Sequence, residues 1–548
     1  MAAGTGARLR RLSRHDDEGA LRMRRAFVVS PDTRLGNRVG FAVARFDLTR
    51  LFVMRSSRYL AVAALLAVTH APLPAQPAQS APADTSISKA EVAARRAAFA
   101  ERIGDGVVLA FGGRTLVHDF TTFYQLAAFR YLTELNEPDH AFVMVVRNKV
   151  PQTTLFLTKM EPRTAFYYGT STDSTNSVSR TGLPARSFGA LPAVLDSLAT
   201  SGLPFYHIPD VETMDFSRAD SLTRGQETVK ALARKHPTLT IRNAMPHVLA
   251  VRGKKSAAEL ALIRKAVEVS SEGHRAAMLT ANPLHEYELR AAIEYEFTRR
   301  GAERVAYGSI VGSGYNGTTL HYMKDMDPVK PGDLVVIDAG AEYRGYAADI
   351  TRTIPVSGTY TAEQRQLYQL VLDAQKAAER NSKPGMSIRA AADSTVVVRT
   401  KGLAALGLIE SADAQYDPPW RVDCTANPQG CKQANLWMIH GISHGIGLAV
   451  HDPLQGDLNG GRFAEGDAFT IEPGIYVSTR ALDVLPDTPR NRQFKAKVLA
   501  AVKKYENTGI RIEDDYIITD KGLERISLVP REIPEIEALM KRRRVIQP

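Results

Sequence analysis

The chain has 548 residues, 44% hydrophobic and 24% charged, which is too long for one ordinary domain and ordinary in composition for two or three globular units. Its net charge of +11 does not mark a nucleic-acid binder. Residues 1–58 hold 13 Arg, no Lys and 5 acidic residues and so carry +8 of it, and the +3 left for the rest is too little for a phosphate-binding stripe.

From Met54 the sequence reads MRSSRYLAVAALLAVTHAPLPAQPAQSAPAD: two arginines, an apolar run from Tyr59 to Val68, then small residues with a cut expected after Ala75. The apolar run is ten residues, against roughly 20 for a membrane-spanning helix. Residues 54–75 therefore read as an export signal with no stable membrane span, the other readings being a buried helix or an uncleaved tether. An export signal begins at the N-terminus, so the expectation is that Met54 is the true start and residues 1–53 a misassigned upstream extension. The Pro-, Ala-, Gln- and Ser-rich text from Pro72 to Ala83 makes 76–85 a disordered linker.

Residues 86–250 alternate an amphipathic segment, SKAEVAARRAAFAERI, with short apolar runs such as GVVLAFG, HAFVMVV and TTLFLT, the pattern of an α/β layer domain. A boundary falls at Val251–Lys255. Beyond it Ser256 with Glu259, and Thr361 with Gln364, form capping-box patterns that open long helices, the second stopped by Pro384-Gly385. No tandem repeat of 20 to 50 residues is present, which excludes a solenoid. Residues 251–548 thus mix helices with hairpins, an α+β arrangement.

Within that stretch, VVIDAGAEYRGYAADITR reads as a hairpin with an acid in each arm. A fold-back between Tyr343 and Arg344 sets Asp338 opposite Asp349, with Cβ atoms about 5 Å apart, a destabilising pair of like charges. Two such carboxylates must share a proton or be bridged by a cation. Proton sharing would suggest an aspartic protease, which needs no further acids or histidines. Here HGISHGIGLAVHD supplies His440, His444 and His451, AFTIEPGIYV supplies Glu472, and GIRIEDDYIIT supplies Glu513. Each alone has a bland reading as a turn or surface residue; together they favour the cation. The two cysteines, Cys424 and Cys431, lie in the polar loop CTANPQGC, where an oxidising compartment would let them close a small ring; two free thiols are the other reading.

Asp338, Asp349, His444, Glu472 and Glu513, in this order and with this surrounding text, resemble the ligand series of the M24 metallopeptidases, the pita-bread family of methionine aminopeptidase, aminopeptidase P and prolidase. FYQLAAFRYLTELNEPD is similar to the aminopeptidase P and creatinase type of N-terminal domain. The resemblance implies an α+β fold with a C-terminal pita-bread catalytic domain behind a smaller α/β domain. It also implies two divalent ions whose charge cancels that of the four carboxylates. A donor set this rich in oxygen favours Mn2+, with Co2+, Fe2+ or Zn2+ able to substitute. By the same resemblance Asp349 and Glu513 bridge both ions, Asp338 holds one, and His444 with Glu472 holds the other. Glu472 takes the proton of the attacking water, His451 stabilises the tetrahedral intermediate, His321 and His440 line the substrate pocket and its proton path, and Arg511 orients a ligating carboxylate.

A full domain ahead of the catalytic one implies the aminopeptidase P and prolidase branch. Export and the N-terminal text favour an Xaa-Pro aminopeptidase acting on peptides with proline second. Xaa-Pro dipeptidase (prolidase) is the alternative; a non-catalytic pita-bread binding protein and a metal-free creatinase type generally lack part of the ligand set. Relatives imply a homo-oligomer, dimer or tetramer. Two departures stand out: Phe129-Arg130-Tyr131-Leu132 replaces a more aromatic tract and is expected to shape the substrate mouth, and Ser411–Gln433 reads as an insertion that forms a lid.

Overall fold

Apolar residues on both faces make Gly106–Phe111 a central strand: Val107 and Leu109 point into one core with Leu195 and Leu232, while Val108 and Ala110 point into another with Phe99 and Phe142. This computed structural model describes residues 86–543 apart from 115–122, 161–170, 211–222, 281 and 459; the expected upstream extension (1–53), export signal (54–75) and linker (76–85) lie outside the described residues. Around the central strand runs a mixed six-stranded sheet in the order Ala185–Ser187, Val150–Leu157, Ala141–Arg147, Gly106–Phe111, Phe205–Ile208, Ile241–Asn243. Helices cover both faces, as an α/β layer requires.

The chain then enters two successive halves, each a helix pair followed by antiparallel strands. Ala257–Leu279 and Glu286–Arg299 precede the sheet of Ile310–Ser313, Leu334–Asp338 and Thr351–Pro355; Ala362–Asn381 and Ile388–Ala405 precede that of Ala468–Ile471, Asp514–Thr519 and Gly522–Arg525. Both capping boxes form, at Ser256 with Glu259 and at Thr361 with Gln364. Among the described residues no helix is long and apolar enough to cross a membrane.

An isolated β-bridge, Thr351 with Glu513, helps join the two halves. Glu513 N–H donates to the Thr351 carbonyl at 3.0 Å and Thr351 N–H returns the bond at 3.4 Å. Arg352, fully buried, donates to the carbonyls of Thr351, Glu513, Pro530 and Val529 and pairs with the equally buried Asp514. A guanidinium satisfied on all sides in this way fixes where its neighbours Thr351 and Glu513 can lie.

The hairpin carrying the two aspartates has a different register from the expected one. Asp338 pairs with Thr351, and Tyr343 with Tyr346. The turn is therefore centred on Arg344 and Gly345, with φ of 51° and 85°. A two-residue hairpin turn needs positive φ at both central positions, which Gly345 supplies and Tyr343 would resist. Asp349 is thus two residues from the position opposite Asp338, and a shift of two keeps both carboxylates on one face. The ladder is interrupted between them, and the helix Ala257–Leu279 holds the break: Ser270 Oγ accepts from Ala341 N–H at 2.8 Å, and His274 Nε2–H donates to the Ala339 carbonyl at 3.0 Å.

The turn is seated on the N-terminal domain, which corrects the expectation for Phe129–Leu132. These residues are buried in the helix Ala127–Thr133. The Arg130 guanidinium lies against Gly345, where an added Cβ would come within 2.6 Å of it, and pairs with Glu303 at 3.2 Å. Tyr131 Oη donates to the Val251 carbonyl, and its ring carries Arg95 at 4.4 Å. The tract forms the joint between the domains because an arginine in place of an aromatic gives it a partner on the other side. The boundary segment is pinned as well: Arg252 and Lys255, each 3% exposed, both pair with buried Asp452 beside His451.

Arg352→Met removes one member of a buried pair and takes the donor from the Val529 and Pro530 carbonyls, so stability should fall by about 3–5 kcal/mol in urea titrations.

Candidate metal centre

Four of the five expected ligands sit where a strand ends or breaks. Asp338 closes Leu334–Asp338, Asp349 precedes Thr351–Pro355, Glu472 follows Ala468–Ile471, and Glu513 lies between Thr508–Arg511 and Asp514–Thr519. His444 comes from a loop fixed to the strand beside it: Thr470 N–H donates to its carbonyl at 2.9 Å, and its own N–H reaches Thr470 Oγ1 at 3.2 Å.

The His444 ring carries the clearest chemical information. Its Nδ1 lies 3.1 Å from the Gly445 carbonyl, which can only accept, so Nδ1 holds the proton. In the neutral ring the Nε2 lone pair then faces carboxylate oxygens of Asp349 at 3.4 Å, Glu472 at 3.6 Å and Glu513 at 3.8 Å. Ligating atoms of Asp349, His444 and Glu513 all lie within 4.8 Å of one another. Asp338 stands on the other side, joined to Asp349 through Tyr307, whose Oη is within hydrogen-bond distance of one oxygen of each aspartate. One phenolic proton satisfies one of these contacts; the second requires a proton on an aspartate or a cation close by.

Three further observations fit divalent metal at this centre. Glu513 Oε1 is buried with no hydrogen-bond partner, although Oε2 accepts from Thr351 Oγ1 at 2.7 Å. Burial raises the carboxyl pKa of Asp349, Glu472 and Glu513 well above the usual range, and neighbouring carboxylates add to it: Asp338 beside Asp349, Glu513 beside Glu472, and Asp349 beside Glu513. The only guanidinium directly engaged with the ligand carboxylates among the described residues is that of Arg511, which pairs with Asp338 and donates to Thr351 Oγ1 at 3.1 Å and Tyr476 Oη at 2.8 Å. One positive charge against four carboxylates leaves a deficit that divalent cations would cancel.

The remaining candidates lie around this core. His440 Nδ1–H donates to the Gly441 carbonyl at 2.6 Å, leaving Nε2 to accept from Tyr476 Oη at 2.9 Å; burial, then Arg511, push its pKa down to about 3, so the ring is neutral. The His451 ring lies 4.1 Å from that of His444. His321 is exposed in the loop after the turn Gly314–Thr318, next to Leu320, whose carbonyl is 3.5 Å from Arg511 Nη2. Cys424 and Cys431 are joined as a disulfide.

Sequence reading missed Tyr307, Thr351, Tyr476 and Asp515, the last accepting the Asp349 N–H at 3.1 Å. Thr351 and Tyr476 were within reach, one in the quoted ADITR text and the other four residues past Glu472 on the next strand. Tyr307 is separated from Asp338 by 31 positions and carries no local pattern.

Fold and donor set together define a metallopeptidase-type catalytic domain preceded by an α/β domain. Residues 261–520 match the family model for metallopeptidase family M24, and residues 92–203 match that for the N-terminal domain of aminopeptidase P. The Xaa-Pro aminopeptidase of Haemophilus influenzae is 33% identical over 76% of this chain and 88% of its own length, and that of Escherichia coli 31% identical over 83% and 98%. Among solved structures, zinc-substituted E. coli aminopeptidase P in complex with product superposes with a TM-score of 0.68 at 30% identity, covering 83% of this chain and 99% of that one. Proline aminopeptidase P II from Yersinia pestis matches with the same TM-score. The chain belongs to metallopeptidase family M24.

Raised carboxyl pKa values mean that the metal-free folded protein holds protons the unfolded chain releases. The associated stability is present below the ordinary carboxylate range, near 4, and is lost as pH rises through the higher folded values. In chelator, the melting temperature should fall more steeply with rising pH for the wild type than for Glu513→Gln, and a saturating divalent cation should abolish the difference. Parallel slopes would contradict the arrangement.

Proposed function

We propose that this protein is an Xaa-Pro aminopeptidase that uses two divalent ions, Mn2+ first among them, to hydrolyse the bond between the N-terminal residue of a peptide and a proline that follows it. The observation that carries the reading is the convergence of His444 Nε2 with carboxylate oxygens of Asp349, Glu472 and Glu513 at 3.4–3.8 Å. Asp338, Asp349, His444, Glu472 and Glu513 would hold the ions. When bound, they supply Lewis acidity, making water more acidic and polarising a carbonyl oxygen.

The chain's own groups do the rest. Glu472, whose carboxyl is held above its ordinary range, accepts the proton of the attacking water. His451, whose ring packs on that of His444, would donate to the scissile carbonyl oxygen as negative charge develops there, a role supported by its nearness to His444. His440 stays neutral and, with Tyr476 and Arg511, makes a chain of hydrogen bonds that orients Asp338. His321, exposed at the mouth, is assigned to substrate contact. Three readings from the sequence extend the proposal: export through the segment starting at Met54, assembly as a homo-oligomer, and action on peptides rather than on nucleic acid.

A tripeptide such as Ala-Pro-Gly should be cleaved to release alanine, and chelator should stop the reaction until metal is restored. Glu472→Gln should lower kcat by about 10²–10⁴-fold, the range for loss of a general base. Chelator-resistant turnover, or metal uptake without turnover, would end the proposal.

A further inference from the structure

His321 is carried by a segment that has no ladder of its own. Among the described residues, nothing from His321 to Met326 makes a backbone–backbone hydrogen bond. The chain on either side is pinned: Ile310–Ser313 pairs with Leu334–Asp338, and the Asp327 carbonyl accepts from Glu286 N–H at 3.1 Å. An exposed side chain on an unpaired backbone would wander unless something else held it.

A side chain takes the place of the ladder. Glu286 opens the helix Glu286–Arg299 and is fully buried. Its Oε1 accepts from Ser313 N–H at 2.8 Å and from Asn316 Nδ2 at 2.9 Å, on the way into the loop. Its Oε2 accepts from Tyr322 Oη at 3.0 Å and from Asp327 N–H at 2.9 Å, on the way out. Four donors fill the acceptor sites of the carboxylate, so one group closes the loop that has His321 within it. Asn316 Nδ2 also reaches Asp327 Oδ2 at 2.9 Å, which ties entry to exit directly. Two further anchors act beside His321. The Leu320 carbonyl is 3.5 Å from Arg511 Nη2, and buried Asp325 accepts from Val311 N–H at 3.0 Å and faces Arg290 at 3.4 Å.

We propose that Glu286 is a positioning residue for the peptidase reaction: through the Tyr322 hydroxyl it fixes the backbone next to His321, and so the place at which that imidazole meets the substrate. The assignment rests on the aminopeptidase reading, in which His321 contacts the peptide. A carboxylate suits the task because it only accepts, and can take two donors on each oxygen; an amide of the same shape would turn its own N–H groups toward two of the four donors. A loop ordered in advance spares the substrate the cost of ordering it on binding, so the contribution of Glu286 falls on KM.

Steady-state cleavage of Ala-Pro-Gly by the metal-loaded full chain tests the role. Tyr322→Phe removes one hydroxyl and should raise KM about five- to tenfold, the scale of one hydrogen bond, with kcat within about twofold and metal content unchanged. Glu286→Gln should raise KM at least as much. In a His321→Ala background, where slow turnover is followed as product release over hours, Tyr322→Phe should change KM by less than about twofold, because no imidazole is left to position. Melting temperatures monitor folding, and Tyr322→Phe carries the test if Glu286→Gln does not fold. An unchanged KM in Tyr322→Phe, or the same rise with and without His321, would overturn the positioning role alone. Failure of the wild type to cleave the peptide would overturn the aminopeptidase reading and the positioning role with it.

Discussion

Four carboxylates directed at one small volume form the constraint around which the catalytic domain is arranged. Buried, and repelling one another, they resist ionisation, which is why Asp349, Glu472 and Glu513 all have raised pKa values. Among the described residues the fold brings in little positive charge of its own to relieve this. It supplies one guanidinium, Arg511 on Asp338, and neutral hydroxyl donors from Tyr307 to the aspartates and from Thr351 to Glu513. An unstable arrangement of this kind persists only if the scaffold prevents the carboxylates from moving apart.

Arg352 is the part of the scaffold that does so most directly. It lies on the arm bearing Thr351 and reaches Glu513, Asp514 and the segment at Val529–Pro530. The halves of the domain thereby meet at Thr351–Glu513, and a ligand from each comes within reach of His444. The N-terminal domain contributes from outside by seating the tip of the hairpin on Arg130 and by gripping Asp452, next to His451, through Arg252 and Lys255. A domain outside the candidate site can therefore influence its geometry.

The candidate ligands could be picked out in the sequence because each sits in a short run of turn-forming and apolar residues, four of them where a strand ends or breaks and His444 in a loop. Helix starts at Ser256 and Thr361 were legible for the same reason, capping being a local interaction. The hairpin register was not, since the choice between centring the turn on Tyr343-Arg344 or Arg344-Gly345 depends on which residues accept positive φ. Gly345 could have decided it. Phe129–Leu132 was misread because an exposed mouth and a buried joint suit the same aromatic text, and only the partner Glu303 separates them. Arg352 with Asp514, and Tyr307 with its two aspartates, leave no periodic trace, because pairs made across long stretches of chain have no spacing rule.

Metal content gives the most direct test. Purified protein, incubated with Mn2+ and freed of excess, should retain two equivalents per chain, and Glu513→Gln, lacking one carboxylate of the set, should retain at most one. Wild-type protein that binds no divalent ion while remaining folded, with its carboxylates still gathered, would contradict the account at its root.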